Sequence, residues 1–392
     1  MKRDPRLLEA SLADLARQDL KRVRTTIESF ANPDRHVVAV CGGRPLVDFS
    51  SNDYLGLARH PEVAGAMADA AREWGAGSGA SHLVTGHGIE HARLEEALAE
   101  FTGRERALLF STGYMANLAI VTSLVGRGES VALDRLSHAS LIDAALLSGA
   151  RFRRYAHADC AAAAREPATM LATDGVFSMD GDIAPIPDLA RTCRANSSWL
   201  VVDDAHGLGV IGSTGRGSLE HFGGSVDDVP VLMGTLGKAF GCFGAFVAGD
   251  ANLIEHLTQK ARQYIYTTAL PQPLAAAARK ALEVAQRESW RRERVLHLTT
   301  RFRRGAGQAG IPLGPSNTPI QPVILGSSSA ALHVQRKLAD AGFLVVAIRP
   351  PTVPRGSARL RVTFSAEHSE EQVDSLVDVL SGVCAHQEAV RE

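Results

Sequence analysis

Short apolar runs alternate with helix-like stretches through the middle of the chain. From about residue 106 to 250 the runs RALLF, SVALD, ATMLATD, WLVVDD and VPVLMG are separated by segments with apolar positions at helical spacing, and GAFVAG adds one further strand. Strands that read as continuous apolar runs are buried on both faces. The pattern therefore predicts βαβ units, that is, a mostly parallel sheet covered by helices on both sides. Residues 272–309, rich in Ala, Arg and Glu, read as one or two long helices. A smaller α/β pattern follows: IQPVILG, a helix over 329–340, FLVVAI, ARLRVTF and a last helix at about 369–383. Near the start, Leu7, Leu8, Leu12, Leu15, Leu20, Val23 and Ile27 recur at near-helical spacing over 6–29, interrupted by Arg17, Lys21, Arg22 and Arg24. The expected organisation is a large domain over 51–280, and a smaller α/β domain formed by 281–392 together with the N-terminal helix and segment, 1–50.

Composition narrows the function classes. The 392 residues suffice for two domains, and 42 Lys and Arg against 43 Asp and Glu leave a net charge of −1. That balance offers no electrostatic reason to bind nucleic acid or an anionic membrane. The five cysteines are odd in number, widely spaced and without a CxxC, which suggests neither a disulfide framework nor a metal site. The N-terminal pattern lacks the apolar centre of a signal peptide, and no uninterrupted apolar run reaches the ~18 residues of a membrane span. A cytoplasmic protein is expected.

In parallel α/β sheets, ligands bind beyond the carboxyl ends of the strands, so the residues after each apolar run are the candidates for chemistry. WLVVD is followed by DAHGLG, with Asp203 at the strand end and His206 three residues on. VLMGT, ending in Thr235, is followed by Lys238 in a run that is otherwise small or apolar. ALLF leads to STGYMAN, with Gly113 and Tyr114 opening a helix, SVALD leads to RLSHAS with His138, and MLATD leads to GVFSMDGD with Ser178. Taken singly, each has a plain reading as a helix cap, a tight turn or a snorkelling lysine. Together they supply one chemistry. A poorly solvated lysine is a nucleophilic amine, an acid at a strand end can hold a protonated pyridine, and helix-opening N–H groups can cup a phosphate. Those are the parts that pyridoxal phosphate needs. A dinucleotide site is not indicated, because no GxGxxG opens a helix after a strand.

SSNDYLGL (50–57), GSGASHLVTG (77–86), RLSHASLIDA (135–144), TDGVFSMDGD (173–182), VVDDAHGLGVIG (201–212) and TLGKAFGCFGAF (235–246) stand in the order of the sequence blocks of the α-oxoamine synthases. The chain resembles that family, which lies within the fold-type I pyridoxal-phosphate transferases, from about residue 6 to 383. The resemblance implies Lys238 as the Schiff-base lysine, Asp203 as partner of the pyridinium, His206 as partner of the ring hydroxyl and His138 stacked on the ring. It implies Gly113, Tyr114, Ser178 and Thr235 as further cofactor ligands, largely of its phosphate. Thr267 and Thr268 would reach the phosphate held by a neighbouring copy, because the family shares its sites across a homodimer. Asn52, Arg349 and Thr352 would touch the substrate, Arg349 by its carboxylate, and Arg22 matches a family arginine near the acyl site.

The C-terminal block AIRPPTVPRGSARLRVTFSAEH (347–368) resembles the branch that joins L-alanine to a pimeloyl thioester. The expected activity is then a decarboxylative acyl transfer, with coenzyme A or a transiently bound acyl-carrier protein as the carrier. The branch using glycine and acetyl-CoA, and a catalytically silent subunit of the same fold, are the alternatives. Three departures stand out: His82 where many relatives have Arg, Asp174 in place of a frequent Glu, and FGAF in place of a Gly-Gly.

Overall fold

The computed structural model describes residues 5–32 and 35–388. It divides into two compact units: one comprises the chain up to Ser51, residues 179–181 and everything from Arg294, the other Asn52–Ser178 and Asp182–Glu293.

The smaller unit opens with a helix, Pro5–Arg17. The helical spacing read over 6–29 does not continue: Asp19 takes a left-handed conformation (φ +56°), and the N–H groups of Leu20 and Lys21 turn back to the Leu15 carbonyl, at 2.8 and 3.0 Å. Such a residue ends a helix, and Asp tolerates it better than most. Three strands follow, β1 (Ser29–Asn32), β2 (Arg35–Cys41) and β3 (Arg44–Asp48).

The larger unit is built on β4 (Arg106–Phe110), β5 (Ser130–Asp134), β6 (Arg151–Tyr155), β7 (Met170–Asp174), β8 (Trp199–Asp203), β9 (Val231–Thr235) and β10 (Ala245–Gly249). They form one sheet in the order β4-β10-β9-β8-β7-β5-β6. Only β10 runs antiparallel to its neighbours, while the pairs from β9 to β6 are parallel. Burial explains the apolar runs. Val131, Leu133, Met170, Ala172 and Val201 pack on one face against the helices Gly113–Leu124 and Ala139–Ser148. Their alternating neighbours Ala132, Leu171, Leu200 and Val202 pack on the other against the helix Ile186–Asn196. Successive side chains of a strand point to opposite faces, so both sets must be apolar. Each large aliphatic side chain buried in this way stabilises the fold by roughly 1.5–3 kcal/mol. The strand β6, RFRRY, escapes the sequence pattern because it lies at the sheet's edge, where charged side chains stay solvated and discourage further pairing.

Residues 272–309 form two helices, Gln272–Arg287 and Trp290–Gln308. The smaller unit then resumes with β11 (Ile320–Gly326), β12 (Phe343–Leu344), β13 (Ala347–Ile348) and β14 (Ala358–Thr363), and with the helices Ser328–Asp340 and Glu370–Glu388. The single run FLVVAI serves two sheets: β12 extends β1-β2-β3, whereas β13 joins β11 and β14. Within this unit His368 ties the C-terminal segment to the N-terminal one. Its ring stacks on Phe49 at 4.1 Å, and its Nε2 hydrogen-bonds to the Asp48 carbonyl at 3.0 Å. Burial lowers its pKa to about 4, so the ring is neutral and suited to a packed core.

Candidate active site

Gly113, His138, Ser178, Asp203, His206, Thr235 and Lys238 lie at or just beyond the carboxyl ends of strands of the large sheet, whereas Thr267 and Thr268 follow a helix. Lys238 follows β9 and is half-buried, and its Nζ lies 2.8 Å from Nε2 of His206, which follows β8. The other ring nitrogen of His206 lies 2.8 Å from the hydroxyl of Tyr54. That hydroxyl donates to Oδ1 of Asn52, at 3.2 Å.

Asp203, buried at the end of β8, accepts from the N–H of Ala205 at 3.1 Å and from Nδ2 of Asn117 at 2.7 Å. Asn117 spends its second amide hydrogen on Oγ of Ser140 at 2.8 Å, and that hydroxyl also meets Nδ1 of His138 at 2.7 Å. A connected set of polar side chains thus runs from His138 to the carboxylate. The N–H of His138 is accepted by Asp174, at 2.9 Å. Asp174 is wholly enclosed, and burial, then the charge of Asp203, raises its pKa well above the carboxylate range. His138 as a residue is exposed, although burial of its imidazole, against the opposing charge of Asp203, lowers its pKa.

Gly113 and Tyr114 open the helix Gly113–Leu124, whose N-cap Thr112 accepts from Met115 N–H at 3.2 Å. The first N–H groups of a helix have no carbonyl within it and point outward, towards where an anion would bind. The Tyr114 side chain takes another course: it is exposed and its hydroxyl hydrogen-bonds to Asp143. Thr235 ends β9, its hydroxyl donating to the Gly244 carbonyl at 3.0 Å and accepting from Gly237 N–H at 3.3 Å. Ser178 is half-buried and stands beside a turn closed by the N–H of Phe177 on the Asp182 carbonyl, at 3.0 Å. Thr267 is half-buried and Thr268 exposed, the latter bridged to Ser81.

Three candidates belong to the smaller unit and meet there. Arg22 donates to the Thr352 hydroxyl at 3.1 Å, and Thr352 N–H bonds back to the Arg349 carbonyl at 3.1 Å. The Arg349 guanidinium reaches the carbonyls of Asp19 and Lys21. Burial and the neighbouring charge of Arg22 lower its pKa.

The departure at His82 has a local account. Its ring is buried, stacks on Tyr264 at 4.8 Å, and pairs Nδ1 to Nδ1 with His87 at 3.0 Å. Burial, with His91 and His87 nearby, lowers its pKa to about 3. His82, His87 and His91 bring ring nitrogens within 4.8 Å of one another. Both nitrogens of His91 are already engaged, one by Gly88 N–H and one by the Leu270 carbonyl.

Sequence reasoning missed Asn117 and Tyr54. Asn117 could have been found: it is the one amide in the apolar helix GYMANLAIVTSL and lies one turn from Gly113, on the same face. Tyr54 carries no such signal, since its partner His206 is far away in the chain.

An amine beside an imidazole, a buried carboxylate with fixed hydrogen bonds and a helix N-terminus fit pyridoxal phosphate in donor chemistry. The comparisons agree. The family model for class I and II aminotransferases matches residues 44–380. An 8-amino-7-oxononanoate synthase from Pseudomonas putida (strain W619) is 56% identical over 379 residues, covering 95% of this chain and 96% of that one. A solved 8-amino-7-oxononanoate synthase from Francisella tularensis superposes with a TM-score of 0.78 at 31% identity, covering 88% of this chain and 99% of that one. A serine palmitoyltransferase variant from S. paucimobilis with a bound PLP–myriocin aldimine superposes with a TM-score of 0.89 at 29% identity, covering 96% of each chain. The chain belongs to the class I and II aminotransferase family of fold-type I pyridoxal-phosphate enzymes, and within it to the acyltransferases of the 8-amino-7-oxononanoate synthase kind.

Proposed function

We propose that the chain joins L-alanine to a pimeloyl thioester, releasing CO2, the free thiol carrier and 8-amino-7-oxononanoate for biotin synthesis. The observation that carries this reading is the 2.8 Å pairing of Lys238 with His206 beyond the strand ends, in a chain 56% identical to a synthase of that name. Pyridoxal phosphate, when bound, supplies the electron sink that makes the amino acid's α-carbon acidic. Lys238 would hold it covalently, and its Nζ would take the α-proton of the amino acid. Asp203, steadied by Asn117 and Ala205, would hold the proton of the pyridine nitrogen. His206 would serve the cofactor's ring hydroxyl, and His138 would cover its ring. The N–H groups of Gly113 and Tyr114, with the Ser178 hydroxyl, would hold the phosphate, and the Thr235 hydroxyl would join them only by turning away from the Gly244 carbonyl. In a homodimer, Thr267 and Thr268 of the neighbouring copy complete that cup. Asn52, Arg349, Thr352 and Arg22 bind substrate, the planar guanidinium of Arg349 matching a carboxylate.

The test is CO2 release with alanine or glycine crossed against pimeloyl, succinyl and acetyl thioesters, each on coenzyme A and on acyl-carrier protein. Alanine with a pimeloyl thioester is expected to turn over fastest. Glycine with acetyl-CoA turning over fastest replaces this reading by the glycine-using branch. Sedimentation of an active monomer rules out the shared site. No described helix is long and apolar enough to cross a membrane.

A further inference from the structure

We propose that Tyr54 is a positioning residue, which sets the tautomer of His206 and thereby the group that faces the Lys238 amine. The inference rests on the reading of Lys238 as the reactive amine.

The hydrogen bonds run in one direction. A phenol has a single proton, and that of Tyr54 goes to Oδ1 of Asn52, at 3.2 Å. Its oxygen can then only accept from the imidazole nitrogen 2.8 Å away, so the ring proton sits on Nδ1 of His206. Nε2 is left with its lone pair towards Nζ of Lys238, at 2.8 Å. The consequence is chemical. An Nε2 lone pair accepts a hydrogen from the amine and leaves the nitrogen's own lone pair available to act as base or nucleophile. With the proton on Nε2, the ring would donate to that lone pair and block it.

The surroundings hold the phenol in place. Tyr54 and His206 are both buried, at 1% and 7% exposure, so little water reaches either to satisfy the ring in another way. The turn that carries Tyr54 is pinned by the Asp53 carboxylate, which accepts from the N–H groups of Leu57 at 2.9 Å and Ala58 at 3.1 Å. Arg291 adds a bond to the Leu55 carbonyl, at 2.9 Å. The lysine loop abuts the same turn. Gly241, at φ +64°, lies so close that a Cβ there would stand 2.6 Å from the Leu57 carbonyl carbon and 2.7 Å from the Ala58 Cα. The His206 loop abuts the lysine loop in turn: a Cβ on Gly209 would lie 2.8 Å from the Ala239 Cβ. Three segments distant in sequence are thus in near-backbone contact, and Tyr54 is the side chain through which the first acts on the second.

The experiment is a long-range 1H–15N correlation on apo-protein labelled with 15N-histidine, the His206 signals being assigned by their loss in His206→Gln. Native protein is expected to carry the proton on Nδ1. Tyr54→Phe removes only the hydroxyl, and is expected to shift at least about half of the ring population to the Nε2–H form. In the loaded enzyme the same change is expected to lower kcat on the order of tenfold or more, with KM for alanine within about twofold and the cofactor retained. A native ring with its proton on Nε2 overturns the proposal, and needs no variant to fold. So does a Tyr54→Phe protein with an unchanged tautomer, or one whose tautomer shifts with kcat intact. Should no thioester yield CO2 with alanine, the functional reading fails while the spectrum still decides the role of Tyr54.

Discussion

Asp174 and Asp203 are register partners on the adjacent parallel strands β7 and β8, and both are buried where those strands end. Two carboxylates so placed do not both ionise readily. Asp203 has the N–H of Ala205 and the amide of Asn117 on its oxygens, whereas the pKa of Asp174 is raised by burial and then by Asp203 itself. Of the two, Asp174 is the carboxyl whose charged form is disfavoured, by burial first and then by the charge of Asp203. Its raised pKa means that the folded state holds a proton which the unfolded chain gives up above the ordinary aspartate range, so Asp174 costs stability as pH rises past that range. Asp174→Asn, a neutral isostere that can still accept from His138 N–H, is expected to keep the cofactor. Its melting temperature should equal or exceed the native one at pH 7, with the difference shrinking as pH falls towards 4. Thermal melts across pH check this. A marked destabilisation at neutral pH, constant over that range, would place the charge on Asp174 instead.

Lys238→Ala is expected to abolish covalent retention of pyridoxal phosphate and essentially all turnover. The parallel measurement is borohydride reduction followed by peptide mass analysis. Native protein should show the cofactor mass fixed on the peptide containing Lys238, and the variant none. Turnover within about tenfold of native would mean that Lys238 is not the reactive amine, since loss of a covalent nucleophile ordinarily costs far more, whereas a native protein with no turnover at all would favour the silent-subunit alternative.

The strands from β4 to β10, except β6, were legible because burial on both faces forces an unbroken apolar run. Long-range geometry was not legible. FLVVAI is one run in sequence yet feeds two sheets. The apolar spacing of Leu20, Val23 and Ile27 continues past Asp19, where the backbone has already left the helix. At the site, sequence located the residues that end strands, because loops after parallel strands face the ligand side. It could not show that the Tyr114 hydroxyl turns to Asp143, nor that Asn117 links Asp203 to Ser140. Those facts depend on which side chains the fold brings together across dozens of residues.

His157 bridges two carboxylates in the larger unit, Asp134 at 3.0 Å and Asp182 at 2.8 Å. Burial opposes the charge on the ring, but the two acids outweigh it and raise the pKa to about 10. A raised histidine pKa stabilises fully below about 6.5, and the contribution is lost as pH climbs towards 10. His157→Gln is expected to lower the melting temperature most at pH 6 and progressively less as pH approaches 10. A gap that stays constant over that range would mean that the bridge contributes through packing rather than charge.

Arg349→Ala is expected to lower kcat/KM for alanine on the order of 30-fold or more, the cost of losing a charge-assisted contact to a buried carboxylate. The yellow colour of the bound cofactor should persist. The guanidinium also holds the carbonyls of Asp19 and Lys21, so the control is Arg349→Lys, which keeps the charge but not the planar fork. Steady-state kinetics on both, with melting temperatures alongside, separate the two roles. If Arg349→Lys matches native kcat/KM, the fork has no part in binding.

The last expectation concerns a residue with no side chain. Gly241 ends the stretch that begins with Lys238, and its N–H bonds to the Lys238 carbonyl at 2.8 Å. Its φ of +64° is one that a residue with a Cβ adopts at a cost. A Cβ there would also press on Ala58 and Leu57, whose backbone atoms, unlike a flexible side chain, cannot turn aside. Gly241→Ala should therefore cost on the order of 2–4 kcal/mol, more than the left-handed conformation alone. The damage should be local as well as global, because the strain falls between the lysine loop and the turn of Tyr54. Cofactor affinity and the rate of borohydride trapping at Lys238 should both fall in whatever fraction stays folded. Alanine at Gly223, which also has positive φ (+66°) but nothing within 4 Å of its Cβ position, is the control for backbone conformation alone. Equal melting temperatures and equal cofactor affinities for the two variants would show that the close approach at Gly241 does not matter.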